Sequence, residues 1–411
     1  MLFKTPWPID TEKPQLELKA RTIAKIVGQM GLIAAGVGEC DLASGPAFAL
    51  ELAKQAGFYL LAANVAAKDG KKPFNSHMLV DVGGVRVGIF GLTSTLTGTS
   101  PGQQGLVQSE AVATAREQIA FLRPQCRILI CLSHMGLLAD QELARQTTGI
   151  DVILGGHSRE LTTEPIVLGS SLVAQAFSQG KYVGRIDIDA PIERPPTTQW
   201  TFVRAGQQPS QDPKQSRFAA TFIPLDKNMG EDPPVTAEIK KYNETVAKLG
   251  LGAKPPVPPI GRGVTPTANP FVPQPQGPPP SGSAFTYWGA PLCASCHVEQ
   301  AKFWETTVHA KAIDILRKKN RVNDLECIGC HTTGFRQTGG FDVTAKMAGF
   351  ESVQCEACHG AGLMHGRGGM AKLAGTESTC RRCHDKSNSP EFDFKAMLPM
   401  MSCPKMKRGL K

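Results

Sequence analysis

Residues 151–160 read DVILGGHSRE, a short apolar run, two glycines and then a His-Ser pair. An apolar run of this length bounded by glycine reads as a buried strand. The two glycines let the chain turn at its end, so His157 is expected on a loop at the mouth of a sheet. Working outward, the chain alternates as an α/β domain does. ELKARTIAKIVGQMG (17–31) has helical spacing and LIAAGVG (32–38) is a short strand ending in glycines. GPAFALELAKQAG (45–57) is a second helix and FYLLAANV (58–65) a second strand. HMLVDVGGVRVGIFGL (77–92) reads as a hairpin turning at Gly83-Gly84. A helix at 109–122, the strand CRILICLS (126–133), a helix at 137–149 and strands at 151–156, 171–177 and 181–190 complete the series.

The chain of 411 residues exceeds what one core usually holds. Composition shifts near residue 205. From there to residue 250 a single helix, PVTAEIKKYNETVAKLG (234–250), stands in Pro/Gly/Gln-rich sequence. The run AKPPVPPIGRGVTPTANPFVPQPQGPPPSGS (253–283) cannot form regular structure, because proline fixes φ and removes donors, and it reads as an extended tether. The expected division is therefore 1–205 for the α/β domain, 206–250 for a tail-helix region, 251–284 for the linker and 285–411 for a last domain poor in strands. No apolar run approaches the ~18 residues needed to span a bilayer. The net charge of +9 comes from scattered basic residues without aromatic interleaving, which argues against a nucleic-acid partner.

Cysteine and histidine usage is skewed. Nine of the twelve cysteines and six of the nine histidines lie after residue 290. CASCH (293–297), CIGCH (327–331), CEACH (355–359) and CRRCH (380–384) repeat one spacing four times. C-x-x-C-H is the attachment signature of c-type haem. Its two thiols reach the two vinyl groups of one porphyrin, and the following histidine falls under the iron. The spacing assigns haem attachment to Cys293 and Cys296, Cys327 and Cys330, Cys355 and Cys358, and Cys380 and Cys383, with His297, His331, His359 and His384 as proximal ligands. Zinc is the alternative, since four C-x-x-C pairs could build two Cys₄ sites, but it gives no reason for a histidine after every pair. Four covalently attached haem c groups imply an exported, periplasmic or extracellular protein with redox partner proteins, and oligomerisation is compatible with this. The propionates would offset much of the basic surplus. MLFKTPWPID shows no secretory signal, so Met1 is expected to be an internal start of a longer gene.

Two resemblances extend this reading. CASCHVEQAKFWETTVHAKA (293–312), CIGCHTTGF and CEACHGAGLMHG (355–366) resemble the tetrahaem cytochrome c family that accepts electrons from hydroxylamine oxidoreductase. The run after the first motif places Trp304 and His309 on one helix, and the resemblance implies that His309 and His365 are distal ligands to neighbouring haems. At least two irons are then left to a methionine, a cysteine, a water or nothing. SPEFDFKAMLPMMSCPKMK (389–407) offers Cys403, Met400, Met401 and Met406.

The first domain resembles the 5′-nucleotidase-like metallophosphatases through GVGECDLASG (36–45), AANV, GGVRVGIFGLTS, LSHMG, GIDVILGGHS and GKYVGRIDI. This implies an α/β sandwich whose first strand would precede Met1, and active relatives hold two metals that clamp a phosphoryl group. Against that pattern Val37 stands in place of a metal-binding Asn and Gly38 in place of a catalytic His. Asp41 matches the acid that partners that His. His134 and His157 match metal ligands, while Arg159 replaces the ligand after Ser158 and is expected to pair with Glu39 or Asp41. Cys126 and Cys131 read as core-strand residues. The leading expectation is a tetrahaem electron carrier with a catalytically degenerate phosphatase-like domain used for docking or assembly. A multihaem oxidoreductase acting on a small nitrogen or sulfur compound, and a metallophosphoesterase with a haem appendage, are the alternatives.

Overall fold

The computed structural model describes residues 2–93, 96–189, 200–202, 216–226, 228–249, 287–337, 339–343, 349–362, 376–385 and 388–404. The Pro-rich stretch 251–284, His365 and Met406 lie outside the described residues. The chain divides into two units, Met1–Ile239 and Lys240–Lys411.

In the first unit the helices are α1 (Lys13–Gln29), α2 (Pro46–Ala56), α3 (Ala111–Leu122) and α4 (Leu137–Gln146). Strands β1 (Ala34–Gly36) and β2 (Tyr59–Leu61) pair in parallel, and β3 (Val65–Ala67) pairs with β6 (Leu106–Gln108). The central sheet is built from β4 (His77–Val82), β5 (Val85–Thr93), β7 (Ile128–His134), β8 (Val152–Gly155), β9 (Ile166–Leu168) and β10 (Ser171–Ala174). Its order is β4-β5-β7-β8-β10-β9, with β5, β7, β8 and β10 parallel. Strand β11 (Tyr182–Asp189) joins β12 (Trp200–Phe202) and β13 (Ser216–Pro224) in the order β11-β13-β12.

The expected α/β organisation is what the structure has. Gly83 and Gly84 carry φ of 56° and 82°, the left-handed pair that a two-residue hairpin loop requires, and they join β4 to β5 as expected. The nine-residue β13 was not legible, because it lies in sequence whose composition reads as tail. Helix α3 begins on Glu110, whose carboxylate accepts from the Val112 and Ala113 amides at 2.8 and 2.6 Å. The buried interior includes Phe90, Leu92, Leu122, Leu129, Cys131, Leu143, Ile150 and Ile153, with Cys126 at its margin, as expected for core-strand cysteines. Arg123 and Asp151 pair at 2.6 Å with Asp151 buried, and Asp151 also accepts from the Leu129 amide, which pins the start of β8 to β7.

Helix α5 (Pro233–Leu249) contains the division between the units. The second unit holds α6 (Ala290–Ala294), α7 (Val298–Thr306), α8 (Ala312–Lys318), α9 (Leu325–His331), α10 (Cys355–His359), α11 (Glu377–Arg381) and α12 (Phe394–Met401). Its described β structure is the single bridge between Thr332 and Glu351. A small apolar cluster of Ile313, Leu316, Leu325 and Ile328 sits under α8 and α9. Glu356, only 4% exposed, accepts from the backbone amides of Trp288, Gly289 and Gly362. Gln354 accepts from Ala290 at 2.6 Å, so the segment before the third cysteine motif is tied to the segment before the first.

Candidate functional site

Parallel strands deliver their C-terminal ends to one edge of a sheet, where loops can carry chemistry. His134 is the last residue of β7, and His157 follows β8 by two residues. Glu39 opens the 3₁₀ turn that follows β1. Their side chains meet. Glu39 Oε2 lies 2.9 Å from His134 Nε2 and Oε1 lies 3.6 Å from His157 Nδ1. The two imidazole centroids are 5.1 Å apart.

Sequence reasoning found both histidines and missed the role of Glu39. The signal was present in Gly38: a Cβ there would lie 2.6 Å from His134 Nε2, so a glycine is what lets this imidazole reach the turn. His157 and Arg159 both have positive φ, 59° and 56°, a conformation that costs about 1–3 kcal/mol for residues with side chains. The loop is fixed by Ser158, whose hydroxyl donates to Gln175 at 2.9 Å and accepts from the Leu137 amide. Behind β7, the buried Asp140 is bonded to Ser133 and Gln175. Burial pushes its carboxyl up to about 6 against the opposing effect of those two bonds.

Two positions of the turn after β1 offer no side chain able to bind a metal. Val37 is fully buried and apolar, and Gly38 offers no side chain. Asp41 accepts from the amides of Leu2 and Gly38 at 2.7 and 2.9 Å. Glu39 faces the two histidines, and the Arg159 charge is felt at Cys40 beside it. Burial, with the neighbouring carboxylates Glu39 and Asp41, pushes the Cys40 thiol up to about 12, so it is not a nucleophile.

No disulfide joins any of the twelve cysteines. Thiols of different motifs lie near enough to perturb one another, Cys293 with Cys355 and Cys383 with Cys330. Among the described residues, the single group of three or more His, Cys, Asp or Glu placed to share an ion is Glu39, His134 and His157.

The motif histidines close or flank short helices. His331 and His359 end α9 and α10, and His297 and His384 flank α7 and α11. His331 Nδ1 lies 2.6 Å from the Ala312 carbonyl and His384 Nδ1 lies 3.0 Å from Ser389 Oγ. Such a bond to one ring nitrogen leaves Nε2 for a metal and fixes the ring. His384 is stacked on Phe392 at 4.6 Å.

Contrary to the sequence expectation, His309 does not share a helix with Trp304. Helix α7 stops at Thr306, Thr307 is extended, and His309 opens a separate 3₁₀ turn. Thr306 and Thr307 turn their hydroxyls back onto the carbonyls of Phe303 and Trp304, which competes with continuing the helix. The break places the His309 ring 6.0 Å from that of His384, and its buried Nδ1 has no hydrogen-bond partner. Burial lowers the pKa of both rings, and the neighbouring His384 adds to this for His309 and Arg381 for His384. The histidines and cysteines present fit covalently held haem.

Of the other expected ligands, Cys403 is exposed after α12 and acts electrostatically on Cys358, and Met400 is also exposed.

Residues 292–360 match the family described as cytochrome c554 and c-prime. Over 89 residues the chain is 36% identical to cytochrome c-554 of Nitrosomonas europaea, covering 18% of this chain and 38% of that protein. Over 119 residues it is 36% identical to a trifunctional nucleotide phosphoesterase of Bacillus subtilis, covering 27% of this chain and 8% of that one. A snake venom 5′-nucleotidase of Gloydius brevicauda is 26% identical over 249 residues, 54% of this chain and 39% of the relative. The chain thus spans well under half the length of each of these relatives. No helix among the described residues is long and apolar enough to cross a membrane. The N-terminal half is similar to the 5′-nucleotidase and metallophosphoesterase family, and the C-terminal region is similar to the cytochrome c554 family.

Proposed function

We propose that the protein is an exported tetrahaem c-type cytochrome that carries electrons between redox partner proteins. Its phosphatase-like half serves docking or assembly and hydrolyses no phosphate ester. The observation that carries this reading is the fourfold C-x-x-C-H repeat, each motif ending in a histidine. Cys293/Cys296, Cys327/Cys330, Cys355/Cys358 and Cys380/Cys383 would hold the groups as thioethers, with His297, His331, His359 and His384 beneath the irons. His309 and His365 would serve as sixth ligands. Haem c bound there supplies one-electron transfer.

The chain's own part is positional. The Ala312 carbonyl and the Ser389 hydroxyl orient two of the imidazoles, and burial lowers the His309 pKa. Covalent attachment takes place outside the cytoplasm, which supports a periplasmic or extracellular location. The loss of usable side chains at Val37 and Gly38 supports the absence of hydrolysis. Anaerobic reductive titration of the full-length ferric protein is expected to take up four electrons per chain, with no release of phosphate from nucleotides. Uptake of fewer electrons, or sustained nucleotide turnover, contradicts the reading.

One observation favours a second reading, an oxidoreductase acting on a small nitrogen or sulfur compound. Only six histidines lie after residue 290, fewer than two for each of four irons. A high-spin ferric signal in the untreated protein would support it, and low-spin signals throughout would remove it.

A further inference from the structure

The segment that follows the fourth cysteine motif folds back onto that motif's own histidine. We infer that Ser389, Arg381 and Phe392 set the reduction potential of the haem held by the fourth motif, Ser389 lowering it, Arg381 raising it and Phe392 fixing the plane of the His384 ring. These roles presuppose the haem reading above and add to it the tuning of one centre by three side chains that bind neither porphyrin nor iron.

Local hydrogen bonds make the turn. The Asp385 carboxylate accepts from the Asn388 amide at 2.7 Å and from its side-chain nitrogen at 2.9 Å. The Asp385 carbonyl accepts from the Ser389 amide at 2.8 Å, which brings Ser389 back beside the histidine five residues before it. Ser389 Oγ then lies 3.0 Å from His384 Nδ1. The Phe392 amide donates to the Ser389 carbonyl at 3.0 Å, and its ring lies on the imidazole, 4.6 Å between centroids and 14° between planes. A ring stacked this close to parallel cannot rotate without losing the contact. Arg381 is held by Glu377, one helical turn earlier, at 3.2 Å. Its guanidinium carbon lies 5.0 Å from the Phe392 centroid, and its Nη1 lies 3.4 Å from the His384 carbonyl oxygen.

An imidazole that gives Nε2 to a metal carries its proton on Nδ1, so Nδ1 donates and the Ser389 oxygen accepts. Such an outer bond makes the ring a stronger electron donor, which favours ferric over ferrous iron and lowers the potential. At the second motif the same part falls to a backbone carbonyl, that of Ala312, 2.6 Å from His331 Nδ1. A carbonyl cannot be deleted by substitution and a hydroxyl can, so the fourth motif is where the effect is measurable. Arg381 acts in the opposite direction. After burial, its charge is what lowers the His384 pKa, so it is felt at the ring. The same field disfavours the extra positive charge of ferric iron and raises the potential. The Arg381 side chain is 41% exposed and paired with Glu377, and screening makes its effect the smaller one.

The test is a potentiometric titration of the full-length, haem-loaded protein, resolved into one-electron components by absorbance and electron paramagnetic resonance. The component of the fourth motif is the one lost when Cys380→Ser and Cys383→Ser are combined. Ser389→Ala is expected to raise its midpoint by about tenfold in the ferrous-to-ferric ratio, the lower end of what an outer partner does to a metal site, or about 59 mV for one electron. Ser389→Thr keeps the hydroxyl and is expected to restore the original midpoint. Arg381→Gln is expected to lower the same midpoint by a smaller amount that shrinks as salt is raised. Phe392→Leu keeps the apolar bulk without the aromatic face and is expected to broaden the ferric resonance of that haem; an unchanged resonance removes Phe392 from the set. General loosening of the unit cannot produce two shifts of opposite sign. Shifts of one sign in Ser389→Ala and Arg381→Gln, equal shifts in every component, or an unmoved fourth component in Ser389→Ala overturn the assignment. A wild-type protein without four one-electron components contradicts the haem reading itself, so the two failures are told apart.

Discussion

Glu356, an interior residue of the third cysteine motif, carries more of the second unit than its sequence position suggests. Its carboxylate is buried and receives the amides of Trp288 at 2.9 Å, Gly289 at 2.7 Å and Gly362 at 2.6 Å. Replacing it with alanine leaves those donors without their acceptor and opens a hole the size of a carboxyethyl group. A hydrogen bond to a charged group is worth about 1.5–3 kcal/mol, but three that share one acceptor do not add in full. Water reaching the half-buried Trp288 amide recovers part of the loss. The net expectation for Glu356→Ala is a loss of about 3–5 kcal/mol in the stability of the second unit. Glu356→Gln keeps one acceptor oxygen and the shape, and is expected to lose about 1–3 kcal/mol. Guanidinium unfolding of the ferric protein, followed by haem absorbance and far-ultraviolet circular dichroism, separates this unit's transition from that of the α/β unit. A shift below about 0.5 kcal/mol for Glu356→Ala would refute the claim that this carboxylate joins the first and third motifs.

Three further outcomes follow from the geometry. Asp151→Ala strips the partner from the largely buried Arg123 and is expected to destabilise the first unit by about 3–5 kcal/mol in denaturant melts, with little effect on haem spectra. Glu110→Ala removes the cap of α3 at a cost of about 1 kcal/mol at pH 7. The Ala113 and Val112 amides lower the Glu110 pKa, so this contribution is present in full above the ordinary glutamate range of about 4.3. It is lost as pH falls through the lower folded value, so wild type and variant should converge in melts run at acid pH. His309→Ala and His365→Ala are each expected to convert one haem to high spin, read by electron paramagnetic resonance; no change in either variant contradicts both assignments.

The division of labour between sequence and structure follows from how far apart the interacting residues are. The α/β alternation, the Gly83-Gly84 hairpin and the four cysteine motifs rest on spacings of a few residues, and each was readable. Strand β13 was not, because its surroundings are rich in proline, glycine and glutamine, and only pairing with β11 reveals it. The break between Trp304 and His309 depends on two threonine hydroxyls competing for helical carbonyls, a balance that a periodicity argument passes over. Gly38 read from the sequence as a loss. In three dimensions the missing side chain is what admits the His134 ring to Glu39, which lies 95 residues away along the chain.

The central claim is that each C-x-x-C-H motif carries one covalent haem, and intact mass spectrometry of the denatured full-length protein tests it most directly. Denaturation removes anything held by coordination alone and leaves thioether-linked groups in place. The account predicts a mass above that of the chain by four haems, falling by one when both cysteines of any single motif are replaced. A chain at its unmodified mass, with zinc released on denaturation, would contradict it.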